Sequence, residues 1–202
     1  MKAYPCTGVI LAGGLNKRFS GKEKSFIEVD GKRIIDRLYD LFCTLFDEII
    51  IVSNSPDRYL EWDALIVTDL FDNRSALTGI HAGLYYSAFS HAFFSASDTP
   101  FLKKDLIETI VDRIEPKLDV IVPQTLSGFE PLCAVYSKKT LPVVEKNIKE
   151  NRFKIQSLFS VAHVERVPES QLRRVDPELA SFININTPED LQRALKGKKK
   201  EP

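Results

Sequence analysis

Gly8-Val9-Ile10-Leu11-Ala12-Gly13-Gly14 decides the fold of this chain, because an apolar run of strand length stops there on two adjacent glycines. A strand exposed on one face alternates apolar with polar residues; this run does not, so it reads as a strand covered on both faces. Paired glycines let the backbone turn sharply and leave amide N–H groups open to an approaching anion. Arg18, Lys22 and Lys24 follow, cations that can make charge-assisted hydrogen bonds to phosphate oxygens. The combination predicts a phosphate-binding loop at the C-terminal edge of an α/β sheet, where such sheets hold their ligands. Two other phosphate signatures fail. Asn16 stands where the Walker pattern needs glycine and Glu23 follows Gly21-Lys22, while Gly13-Gly14 cannot supply Gly-x-Gly-x-x-Gly. The plain alternative is a strand-to-helix turn with solvated lysines.

Outward from this loop, strand-length apolar runs alternate with helical stretches. Ile34, Ile35, Leu38, Leu41, Phe42 and Leu45 recur at helical spacing, and Cys43 is expected on the same buried side. Glu48 to Val52, Leu65 to Val67, Ala92 to Ala96, Asp119 to Val122, Cys133 to Tyr136 and Val161 to Val167 read as further strands. Ile80 to Tyr86, Leu106 to Ile114 and Pro142 to Lys149 read as helices. Near the C-terminus, Thr187 is a natural N-cap and Pro188 suits a first helical position, with Glu189 and Asp190 favouring the positive helix end. The expected fold is a doubly wound, mainly parallel, three-layer α/β/α sheet. It forms one domain over residues 1–202, with a polar tail at 197–202.

Lys plus Arg and Asp plus Glu number 28 each, so the formal net charge is zero. That lacks the basic surplus of a nucleic-acid-coating protein but leaves room for a local basic site. Cys6, Cys43 and Cys133, like His81, His91 and His163, are scattered without metal-ligand or redox spacing. No signal-peptide pattern or bilayer-length apolar run appears, so a cytoplasmic location is expected.

Asp69 and Asp98 follow predicted strands, which brings both acids to the edge that carries Gly13-Gly14. Carboxylates beside a polyphosphate repel it unless a hard cation intervenes, and Mg²⁺ is held in that manner by one or two carboxylates plus phosphate oxygens. Asp98 is the stronger candidate, because Thr99-Pro100 ends its strand abruptly; Asp69 has rivals in Asp63 and Asp72. Either acid also suits an ordinary strand-end turn. Asn184 and Asn186 alternate with Ile183 and Ile185, so the isoleucines are expected in the core and the amides in a cleft.

These residues resemble a known family. Leu11-Ala12-Gly13-Gly14 with Arg18 and Lys24 resembles the signature loop of the nucleotidylyltransferases with a glycosyltransferase-A-like fold, and Asp98-Thr99-Pro100-Phe101 resembles their metal-binding motif. Leu77-Thr78-Gly79-Ile80, Glu130-Pro131-Leu132 and Asn184-Ile185-Asn186-Thr187-Pro188-Glu189-Asp190-Leu191 narrow the resemblance to the MobA-type molybdenum cofactor guanylyltransferases. The resemblance implies transfer of GMP from GTP to molybdopterin cofactor, with Mg²⁺ and release of pyrophosphate. It implies that Leu11, Ala12, Gly13, Gly14, Lys24, Asn54, Asp69, Gly79 and Asp98 contact the nucleotide, and that Asp98 holds the metal. Lys24, Arg18 and Asp98 would be catalytic, and Arg152, Asn184 and Asn186 would face the pterin. Partners that deliver molybdopterin or receive the product follow from the family, with no nucleic acid and no membrane. Ser75-Ala76 stands where the family has Gly-Pro, and Glu130 where it commonly has His. The other readings are nucleotidylyl transfer of another kind (cytidylyl transfer to molybdopterin, a polyol phosphate or a sugar phosphate), a nucleotide-binding regulator, and a structural adaptor.

Overall fold

In the computed structural model, residues 4–13, 24–187 and 190–192 are described. The run that opened the sequence is β1 (Thr7–Leu11), buried along its whole length. A two-residue hairpin, β2 (Glu28–Val29) and β3 (Lys32–Arg33), precedes α1 (Ile34–Cys43), and the chain returns through β4 (Ile49–Val52) and β5 (Leu65–Val67). There follow α2 (Ala76–Tyr86), β6 (His91–Ala96), α3 (Lys104–Val111), β7 (Val120–Thr125), β8 (Gly128–Phe129), β9 (Cys133–Ser137), α4 (Leu141–Lys149), β10 (Val164–Pro168) and α5 (Glu169–Val175). The main sheet has the order β10-β7-β9-β6-β1-β4-β5, with β8 paired to β7. β1 lies in its middle, parallel to β4 on one side and to β6 on the other.

Side chains along each strand alternate between two apolar layers, as the pleat requires. Ile10, Ile51, Phe93 and Val135 join α1, α3 and α5 in one cluster; Val9, Leu11, Val52, Phe94 and Tyr136 join α2 and α4 in the other. This is the expected three-layer arrangement with a mainly parallel sheet. Packing against β1 and β6 is close enough that a Cβ on Gly83 of α2 would lie 2.7 Å from the Phe94 ring and 2.8 Å from Val9.

The departures from expectation are local. β9 runs antiparallel to both β6 and β7, a sense that its apolar run could not reveal. Cys43 is exposed rather than core. It lies nine residues beyond Ile34, and at 100° per residue that is half a turn from Ile34 and beyond the margin of the buried stripe. α2 starts at Ala76, ahead of the expected Ile80, because Ser75 and Thr78 form a reciprocal capping box. β10 starts at Val164, ahead of which a 3-10 turn over Ile155–Ser160 leaves Val161 exposed. Ile183 is 39% exposed; the 3-10 turn Ala180–Phe182 presents Phe182 to the core instead, and Ile185 alone of the pair is buried. No helix among the described residues is long and apolar enough to cross a membrane.

Candidate active site

Register builds the site. Leu11 of β1 pairs with Val52 of β4 and Ala96 of β6, and Val52 pairs with Val67 of β5, so four parallel strands end in one row. Two residues beyond each member of that row stand Gly13, Asn54, Asp69 and Asp98. The backbone carries the ladder past the strands: Ala12 N donates to Val52 O (2.9 Å), Ser53 N to Val67 O (2.9 Å) and Ser97 N to Leu11 O (3.0 Å). Leu11, Val52 and Val67 of that row lie in the apolar layer that packs on α2.

Gly13, Asn54, Asp69 and Asp98 line a cavity of about 360 Å³, together with Leu11, Ala12, Lys24, Arg74, Gly79 and Leu132. Gly79 gives α2 its close approach: a Cβ there would stand 3.1 Å from Leu11 Cδ2. Asn54 Nδ2 donates to Asp69 Oδ2 at 2.9 Å. Burial raises the Asp69 carboxyl above its ordinary range, and the Asn54 and Thr78 hydrogen bonds only partly counter it. Asp63 precedes β5 and so belongs to the opposite edge, and Asp72 is exposed outside the cavity lining, which leaves Asp69 as the acid in place.

Across the cavity, Lys24 Nζ lies 3.2 Å from Asp98 Oδ2 and also donates to the Asn186 side-chain oxygen. Both Lys24 and Asp98 are partly shielded from solvent, so the pair is screened less than a surface one. Ile185 N donates to Asp98 O at 2.9 Å, which aligns the C-terminal segment with the end of β6. Behind it, Asp176 is wholly buried and accepts from Ser181 N (2.8 Å), with Lys103 Nζ 2.9 Å away. Burial alone would raise the Asp176 carboxyl, yet these donors outweigh it and hold it below its usual range. Ahead of the segment's last turn, Thr187 Oγ1 accepts from Asp190 N (3.1 Å) while Asp190 Oδ2 accepts from Thr187 N (2.9 Å), the capping box its sequence announces.

Leu11, Ala12, Gly13, Lys24, Asn54, Asp69, Gly79 and Asp98 thus meet in one cavity, and Asn186 reaches it through Lys24. Asn184 is exposed and outside the lining. Arg152 also lies outside it, bonded to Asn147 Oδ1 at 2.9 Å and paired with Glu150. Gly14, Arg18, Lys22, Pro188 and Glu189 fall outside the described residues. Sequence reasoning missed Arg74, which lines the mouth of the cavity, and Ser25 and Tyr59, buried just behind Lys24. A serine and a tyrosine carry no periodic signal, whereas Arg74 directly precedes the family-like Leu77-Thr78-Gly79 stretch and could have been found there.

Residues 8–167 match the family model described as the MobA-like NTP transferase domain. Over 188 residues the chain is 48% identical to the molybdenum cofactor guanylyltransferase of Desulfosudis oleivorans, covering 93% of each. It is 36% identical over 195 residues to the probable molybdenum cofactor guanylyltransferase of Natranaerobius thermophilus, covering 94% of this chain and 95% of that one. The crystal structure of molybdopterin-guanine dinucleotide biosynthesis protein A from Archaeoglobus fulgidus superposes with a TM-score of 0.84 at 28% identity, covering 96% of this chain and all of the other. The chain is therefore a nucleotidyltransferase enzyme, and it belongs to the MobA-like NTP transferase family.

Proposed function

We propose that this enzyme transfers GMP from GTP to the phosphate of molybdopterin cofactor, forming the guanine dinucleotide and releasing pyrophosphate. The observation that carries the proposal is the row of Gly13, Asn54, Asp69 and Asp98 with the Lys24 ammonium beside Asp98. The relatives, molybdenum cofactor guanylyltransferases, point to the two substrates. The attacking group is a phosphate oxygen, already ionised at neutral pH, so the chemistry asks for no general base. One oxygen–phosphorus bond forms at the GTP α-phosphorus as the bond to the pyrophosphate leaving group breaks.

Positioning and charge neutralisation are then the protein's tasks. Leu11, Ala12 and Gly13 form the backbone wall against the nucleotide. Asn54, Asp69 and Gly79 form the far wall, and Lys24 and Arg18 offset charge on the leaving pyrophosphate. Asp98 and Asn186 present hard oxygen donors side by side, and both already bind a cation, the Lys24 ammonium. That donor set fits Mg²⁺, with phosphate oxygens and water completing the shell. Bound there, Mg²⁺ supplies charge stabilisation for the phosphate oxygens. Roles for Asn184, Asn186 and Arg152 toward the pterin rest on the family resemblance. The setting is cytoplasmic, with transient contacts to proteins that deliver molybdopterin and to molybdoenzymes that receive the product.

Calorimetric titration with GTP, CTP and ATP, each with and without Mg²⁺, tests the reading. GTP is expected to bind with Mg²⁺ assistance and the others weakly; a preference for CTP would move the function to cytidylyl transfer. Asp98→Ala is expected to lower turnover by at least a hundredfold, the scale of one lost electrostatic contact in a transition state. Near-normal Mg²⁺-dependent turnover in that variant would remove Asp98 from the metal site.

A further inference from the structure

Tyr59 closes a short 3-10 turn, Pro56–Tyr59, that follows Asn54, and its ring is fully buried. Its hydroxyl lies 2.7 Å from Ser25 Oγ and 3.4 Å from Ala12 O. Either hydroxyl can donate in the Tyr59–Ser25 contact, while Ala12 O, a carbonyl, can only accept from the phenol at the longer distance. Ala12 ends the strand wall of the cavity, and Ser25 is joined directly to Lys24. One buried hydroxyl thus ties the backbone wall to the cation that faces it, although the two are distant in sequence.

The ring that carries this hydroxyl is itself held. Phe26 stands 5.3 Å and Trp62 5.7 Å from it, centroid to centroid. Arg33 lies 4.9 Å over the Trp62 ring and pairs with both Glu61 and Asp36. Ser25 is almost wholly buried as well, so water cannot replace the phenol if it is removed.

We infer that Tyr59 is a positioning residue of the nucleotide site, setting the separation between the Ala12–Gly13 backbone and Lys24 through its hydroxyl. The inference rests on the guanylyl-transfer reading for its kinetic consequence, but not for its structural one. The Asn54, Asp69 and Gly79 wall, which the proposed function also sets against GTP, is not joined by this tie, whose ends are Ala12 O and Ser25. A looser Lys24 therefore weakens charge stabilisation in the transition state more than it weakens binding, and the loss should fall on kcat.

Tyr59→Phe, Ser25→Ala and the double variant test this, with Tyr39→Phe as control. Tyr39 also donates its hydroxyl to a backbone oxygen, Asp63 O at 3.0 Å, but far from the cavity. Either single variant is expected to lower kcat about tenfold with KM for GTP within twofold, and the double variant to be no worse than one single. Tyr39→Phe should keep wild-type kcat. Hydrogen exchange supplies a readout that needs no substrate: the Ile27 amide, which donates to Lys24 O at 3.1 Å, should exchange faster in Tyr59→Phe while β4 and β6 amides stay unchanged. Unchanged kcat and unchanged Ile27 exchange would overturn the inference. So would a kcat loss that merely follows lowered Tm and disappears on cooling. Failure of the wild type to bind GTP would overturn the function instead, leaving the exchange result to judge the hydroxyl tie.

Discussion

Asp69 sets binding against stability within one side chain. Burial lifts its carboxyl above the ordinary range, so the folded protein holds that proton more tightly than the unfolded chain does. Its stabilising contribution is full below the unfolded pKa and is lost as pH rises through the folded one. At neutral pH the charged carboxylate is therefore a net cost, softened by Asn54. Asp69→Asn keeps the volume and removes the charge. We expect it to raise Tm at pH 7, with the advantage shrinking as pH falls toward 4, and to weaken GTP binding about tenfold, the value of a charge-assisted hydrogen bond. Thermal melts across pH and a GTP titration check both halves; a lowered Tm at pH 7 would contradict the sign. Asp69 and Asp98 were legible because each follows an apolar run, whereas Asn54 entered only through the family resemblance. Tyr59 was not legible, since its contribution comes from a packing environment that no linear spacing encodes.

At the scale of elements, Gly83 weighs local preference against packing. Alanine is the better helix former by about 1 kcal/mol, and Gly83 sits inside α2. Yet a Cβ there would meet the Phe94 ring and Val9 at less than 3 Å, and both are fully buried. Overpacking of that kind costs about 1–3 kcal/mol, so Gly83→Ala is expected to destabilise the protein despite its propensity gain. Urea unfolding decides, and an unchanged or higher midpoint would mean that α2 can shift away from the sheet. Most elements could be read from periodicity, because β1, β4, β6 and β9 are covered on both faces and must be apolar throughout. What periodicity cannot carry is direction. The run from Cys133 to Tyr136 looks like its neighbours yet runs against them, and the pair β2 and β3 is too short to show a period.

Across the whole molecule, the order of strands in space differs from their order along the chain. β1 comes before both of its neighbours in sequence and lies between them in the sheet. Its ladder with β4 is available once residue 52 exists, but its ladder with β6 needs residues 92 to 96. A fragment ending before His91 leaves one edge of a fully buried strand without partners, and is expected to show no cooperative urea transition by circular dichroism. A sharp transition in that fragment would show that the β1–β4–β5 half stands alone. The same topology has a meaning for the protein while it is being made. Its central strand leaves the ribosome ahead of the other strands and waits until residues 92 to 96 are made for its second partner. During that interval the nascent chain offers an open sheet edge to chaperones and to its neighbours on the polysome, and the candidate site stays incomplete until Asp98 and, much later, Asn186 have been made.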